Sequence, residues 1–185
     1  MAKRKLKIND FIEQILIQAI GAVVEDDHHY LAFALISHGI ELLGAIVEED
    51  HALDYDSQGT SRTRFKNGLQ LMNDPRYDHY CPDSKKREDK YDLYTHLRCG
   101  FAHQLRPTGY ISLTHAEESI REKTTHLELK EDERLVLDVD KLYVDFKEAC
   151  EKVISKINNK EISHDKAYQN LLSIDVDGPA TNKGL

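Results

Sequence analysis

The chain has 185 residues, 40% of them hydrophobic and 31% charged, with a formal charge of −8 and a mean hydropathy of −0.58. That is the composition of one soluble globular domain, and it excludes a protein that gathers nucleic acid or anionic membrane by bulk attraction. Any polyanion partner must therefore be met by a local patch. Three widely spaced cysteines, Cys81, Cys99 and Cys150, with no CxxC pair, predict a reduced, cytoplasmic protein without a disulfide framework.

Residues 1–8 form a basic arm carrying Lys3, Arg4, Lys5 and Lys7. Glu13, Gln14 and Gln18 interrupt the apolar stretch that follows, so no secretory h-region is expected. Asn9 or Asp10 can cap a first helix in which Phe11, Ile12, Ile15, Leu16, Ala19, Ile20 and Val23 recur at three- and four-residue intervals. After the acidic break Glu25-Asp26-Asp27, a second helix is predicted from about His28 to Glu49. Its apolar residues spread over more than one face, as in a central helix packed on several sides, and Ser37, His38 and Glu41 argue against a membrane span. A polar loop from Asp50 to Thr60 precedes a third helix, about Ser61 to Met72, stopped by Asn73-Asp74-Pro75. Ser84 is the predicted cap of a fourth helix, which carries Tyr91, Leu93, Tyr94, Leu97, Phe101 and Ala102 and must end before Pro107.

Beyond Pro107 the period changes from helical to alternating. Tyr110–Thr114, Leu127–Lys130 and Leu135–Val139 predict short strands, with Glu131-Asp132-Glu133 as a hairpin loop between the last two. A long helix resumes near Asp140, with Leu142, Phe146, Ala149, Cys150, Val153, Ile154 and Ile157 on one face. A short helix at about His164–Leu172 and a tail at 173–185 complete the chain. The expected fold is mainly α: one domain over 9–172, a bundle of five to six helices with a small β-hairpin insertion at about 110–139, before the long C-terminal helix.

Chemistry concentrates at the end of the fourth helix, where Tyr94, His96, Arg98, Cys99, Gly100, His103, Gln104 and Arg106 fall within a few turns. A glycine inside a helix costs about 1 kcal/mol relative to alanine, so Gly100 predicts close approach of another backbone, from a neighbouring helix or a second subunit. Histidine in the final turn is the residue type able both to accept and to donate a proton near neutrality.

The segment Arg98-Cys99-Gly100-Phe101-Ala102-His103 resembles the Arg-x4-6-His motif of the HEPN superfamily, whose members are small helical bundles, typically dimeric, and often metal-independent ribonucleases of toxin–antitoxin, antiphage and CRISPR systems. Two long helices first and the motif late on a central helix fit that order of elements over roughly residues 9 to 158. The resemblance implies that Arg98 holds the scissile phosphate and that His103 serves as base on the ribose 2′-hydroxyl or as acid on the leaving oxygen, giving a 2′,3′-cyclic phosphate. Beside them on the same stretch, Tyr94, His96, Cys99, Gln104 and Arg106 are the candidate substrate contacts, and neither metal nor cofactor is expected. On an ideal helix, positions five apart point about 140° away from each other. Arg98 and His103 would then meet only across a two-fold axis, so a homodimer is expected. Cys99 departs from the polar residue, often Asn, that active members place after the motif arginine. A non-catalytic HEPN-like module that binds nucleotide or another protein, with structural Arg98 and His103, is the alternative.

Other readings use the same helix. His96, Cys99 and His103 lie on one stripe and would suit zinc if His79 or Cys81 supplied a fourth ligand, or a Cys99 thiolate activated by a neighbouring imidazole. Lys85, Lys86, Arg87 and Lys90, interleaved with Tyr91 and Tyr94, form a basic and aromatic run that could contact RNA or simply be solvated beside Glu88 and Asp89. An RNA or nucleotide ligand, and an antitoxin or other protein partner, are compatible with these features; a membrane is not expected.

Overall fold

The computed structural model describes residues 7–48, 60–82 and 89–162. The first helix spans 8–25 and widens over Ile12–Ala19 to i→i+5 hydrogen bonding between α-helical ends at Ile8–Phe11 and Ile20–Glu25. It buries Ile12, Leu16, Ile20 and Val24, a four-residue repeat. The central helix, His29–Val47, buries Ala32, Phe33, Ile36, Ile40 and Leu43 and is long and apolar enough to cross a membrane by length and composition. Its apolarity has another cause: 56% of that stretch is buried against the helices on either side of it.

Glycines set how closely those helices pack. A Cβ on Gly44 would overlap the backbone carbonyl of Arg64, and one on Gly68 would overlap that of Ile40, so the central helix and the third helix, Thr60–Gln70, meet backbone to backbone. The C-terminal helix, Val139–Asn158, inserts Phe146 into the notch at Gly39, and the Tyr143 hydroxyl lies over Gly21 and donates to the Ile17 carbonyl at 2.8 Å. Its buried face of Leu142, Phe146, Ala149, Cys150, Val153 and Ile157 follows the predicted stripe. Burial pushes the Cys150 thiol well above the usual range.

Two expectations are corrected. The motif helix does not extend back towards Ser84 through residues 89–92, which form a turn. Its helical hydrogen bonding occupies 94–104, because the Asp92 carboxylate accepts from the Tyr94 amide at 3.1 Å and so caps it there. The insertion is not a plain hairpin. Strand β1, Ile111–Thr114, pairs in parallel with β2, Leu135–Asp138, and a parallel pair needs a crossover. The helix Ala116–Glu122 lies in it. The hairpin partner survives as a single antiparallel bridge, Leu129 to Leu135, closed through 131–133 where the turn was expected. The basic residues 3–5, the loop 50–59, the stretch Ser84–Arg87 and everything from His164 onward lie outside the described residues.

A buried polar chain joins the insertion to the bundle. The Asp138 amide donates to His126 Nδ1 at 3.0 Å, so that nitrogen carries no proton; Nε2–H then donates to the Tyr77 hydroxyl at 2.8 Å. The hydroxyl donates to Asp145 Oδ2 at 3.0 Å, and Lys141 covers the other Asp145 oxygen at 2.6 Å. Asp138 also caps the C-terminal helix through the amides of Asp140 and Lys141 and accepts from Ser119 at 2.5 Å. Burial is the first cause that pushes His126 down to about 4, against the pull of Asp145 and Asp138.

Candidate functional site

The motif helix is held from three sides. Over Tyr94–Arg98 it is wound with i→i+5 hydrogen bonding, before a regular α-helical end at Cys99–Gln104. Such insertions shift the facing of every later side chain relative to an ideal helix and often accompany functional sites. Leu105 then takes a left-handed conformation, φ 55°, and its carbonyl accepts from the Tyr30 hydroxyl at 2.7 Å. The chain folds back over Gly100, where a Cβ would stand 2.6 Å from the Arg106 carbonyl oxygen and 3.2 Å from Thr108 N. The close backbone that Gly100 requires is thus supplied by residues 106–108 of the same chain, not by a neighbouring helix or subunit.

Arg98 points inward, towards the central helix. Its Nε is ion-paired with Glu41 Oε2, and Glu41 Oε1 accepts from the Ser61 hydroxyl at 2.6 Å. Arg98 is 20% exposed and Glu41 17%, so the pair is largely screened from water. No hydrogen bond joins the terminal nitrogens of Arg98 to another of the described residues, while its Cζ stands 6.0 Å from the centre of the Tyr94 ring. Arg62 covers Tyr94 more closely, at 4.7 Å, and its terminal nitrogens are engaged beyond that: they donate to Asp92 at 2.5 Å, Thr95 at 2.8 Å and the Pro82 carbonyl at 3.1 Å. Burial works against the charge of Arg62, but the bond to Asp92 outweighs it and raises its pKa. Burial also raises the Tyr94 hydroxyl. Tyr94, tilted against Phe65 at 5.9 Å, is a packing element of this corner and does not offer a free face to a base.

The remaining motif residues divide sharply. His96 is consumed by structure: Nε2 donates to the Asp89 carbonyl at 3.1 Å, so Nδ1 accepts from the Thr108 hydroxyl at 2.9 Å in the neutral ring. Cys99 is a half-buried free thiol within hydrogen-bond reach of Tyr94. His103, Gln104 and Arg106 are exposed on the final turn and beyond it. No hydrogen bond or ion pair joins His103 to Arg98 among the described residues.

The zinc stripe is thereby taken apart, since both His96 nitrogens are occupied, and no group of three metal-ligating side chains converges among the described residues. The basic run is likewise engaged where it is described: Lys90 pairs with Glu133 and lies 4.6 Å from the Tyr110 ring centre, and the Tyr91 hydroxyl donates to the Glu133 carbonyl.

Sequence reasoning missed Glu41, Ser61 and Arg62 as neighbours of the motif. Glu41 carried a signal, as the one carboxylate on a 19-residue helix that is otherwise apolar or neutral. Comparison with known proteins adds nothing to this geometry: no family model, no curated protein and no solved structure matches the chain.

Proposed function

We propose that the protein is a HEPN-like, RNA-directed protein that works as a homodimer in the cytoplasm, as a metal-independent endoribonuclease of a defence or toxin–antitoxin system. The observation that carries this reading is the state of the two motif side chains. A purely structural arginine and histidine at a helix end would be tied to carbonyls or carboxylates. Here Arg98 is ion-paired with the Glu41 carboxylate through Nε only, which leaves its terminal nitrogens without a partner among the described residues, and His103 is exposed with no partner there at all. A guanidinium held this way can present two parallel N–H groups to a phosphodiester, and an exposed imidazole can move the proton of a 2′-hydroxyl. At the same helix end, Tyr30 and Leu105, joined by a hydrogen bond, are 52% and 78% exposed, an apolar surface that a second copy would cover and that would let His103 of one protomer approach Arg98 of its partner.

A second reading is favoured by Cys99. Its thiol, at the position after the motif arginine, has Tyr94 for a partner and is a weak hydrogen-bonding group. A module that binds RNA or a nucleotide without cutting it is consistent with that. The two readings separate in one experiment: incubation of the full chain with single-stranded RNA in EDTA. The ribonuclease cuts, leaves 2′,3′-cyclic phosphate ends, and loses cutting by about 10²–10⁴-fold in His103→Ala, the range expected of a general acid or base. Retention of RNA without cutting identifies the binding module, and a monomer in sedimentation removes the shared site.

A further inference from the structure

We infer that Glu41 is the positioning residue of Arg98: with Ser61 it forms a fixed carboxylate that aims the arginine's terminal nitrogens at the phosphodiester. This rests on the proposed function. The central helix places one carboxylate among apolar neighbours, where an unpaired charge would be strongly disfavoured. Oε1 accepts a hydrogen bond from Ser61, in the first turn of the third helix, while Oε2 meets Arg98 Nε as an ion pair without hydrogen-bond geometry. Ser61 reaches Glu41 because Gly44 and Gly68 let those two helices touch through their backbones. The carboxylate is therefore anchored where the backbones of two helices touch.

The mode of the grip matters as much as its existence. The nearest approach of Glu41 is to Nε, so the terminal nitrogens keep their donors. A free arginine samples many rotamers and must be ordered when it meets a phosphate; this one is ordered beforehand. Glu41 also offsets the arginine's charge while no ligand is bound. Removing it should consequently leave RNA binding intact or somewhat tighter, while the reacting phosphate is held in poorer geometry.

That pattern distinguishes positioning from mere structural support. In Glu41→Gln, kcat for RNA cleavage is expected to fall about 10- to 100-fold, as for a misplacement of the order of an ångström, with KM unchanged or lower. Glu41→Asp restores part of the loss. Ser61→Ala, which keeps the ion pair but frees the carboxylate, gives a smaller fall in the same direction and serves as the deciding variant should Glu41→Gln not fold. The readout independent of activity is the Arg98 Nε–H resonance in ¹⁵N NMR. It should be protected from exchange in the wild type and shift on addition of inorganic phosphate. Protection should be lost in Glu41→Gln and kept in His103→Ala. Unchanged kcat and an unchanged Nε–H signal in the Glu41 or Ser61 variants overturn the inference. A wild type that neither cuts nor binds RNA overturns the proposed function, while the resonance still decides whether Glu41 holds Arg98.

Discussion

His126 and His103 stand at opposite ends of what a histidine can do in a fold. His126 is 5% exposed, and every proton along its chain has one place to go, from the Asp138 amide to Nδ1, from Nε2 to Tyr77, and from Tyr77 to Asp145. His103 is exposed on the last turn of the motif helix and bonds to nothing among the described residues. His96 lies between them, half-buried, with both ring nitrogens spent on closing the loop from Asp89 to Thr108. The difference teaches which histidine to associate with chemistry. A ring whose partners are all fixed has its tautomer and orientation determined by architecture, whereas one held at a helix end without partners is free to exchange a proton with a ligand.

The sharpest way to break that contrast is to remove the buried ring. In His126→Ala the Tyr77 hydroxyl loses a donor, the Asp138 amide loses its acceptor, and a cavity opens between insertion and bundle. We expect a loss of about 3–5 kcal/mol in denaturant unfolding, from the unsatisfied groups and the void together. A loss below about 1 kcal/mol would show that the chain of hydrogen bonds does not hold the insertion in place.

Acid should have a comparable effect by another route. In the unfolded chain His126 takes up a proton near its ordinary value of 6.5, whereas in the fold it does so only near 4. The unfolded state therefore binds more protons between those two values. The stability that the neutral ring contributes is complete above about pH 6.5 and is lost as the pH falls towards 4, by about 3 kcal/mol over the whole interval. Below 4 this contribution flattens. Charging the ring in place is costly, because a proton on Nδ1 would face the Asp138 N–H. Unfolding followed as a function of pH in wild type and His126→Asn should show the acid slope in the first and a shallower one in the second; parallel slopes would remove His126 as its source.

Legibility followed the range of the interactions. The stripe from Leu142 to Ile157 and the apolar central helix carry their period in consecutive residues, and both appear at nearly the predicted bounds. The helix Ala116–Glu122 does not, because its one large aliphatic residue, Ile120, is 79% exposed and no apolar period can form. Its signals were Glu117 and Glu118 in the first turn and Arg121 in the last, weak marks beside the alternation on either side. Parallel pairing of Ile111–Thr114 with Leu135–Asp138 was beyond reach for a related reason: alternation reports a strand but not its partner or direction. At the site, Arg98 and His103 were visible as a spaced pair. What Arg98 touches was not, since Glu41 and Ser61 come from two other helices that only the glycine crossing brings together.

The smallest expected effect is the most telling for function. His103→Ala removes no hydrogen bond or ion pair among the described residues and uncovers no buried surface, so its unfolding free energy should stay within about 0.5 kcal/mol of wild type, as for an ordinary surface substitution. Alanine is also the better helix former, which works in the variant's favour. A drop of 1 kcal/mol or more would mean that His103 has a structural partner in the folded protein, and the distinction from His126 would fail. Thermal neutrality combined with loss of RNA cleavage would leave catalysis as the remaining role for an imidazole at that helix end.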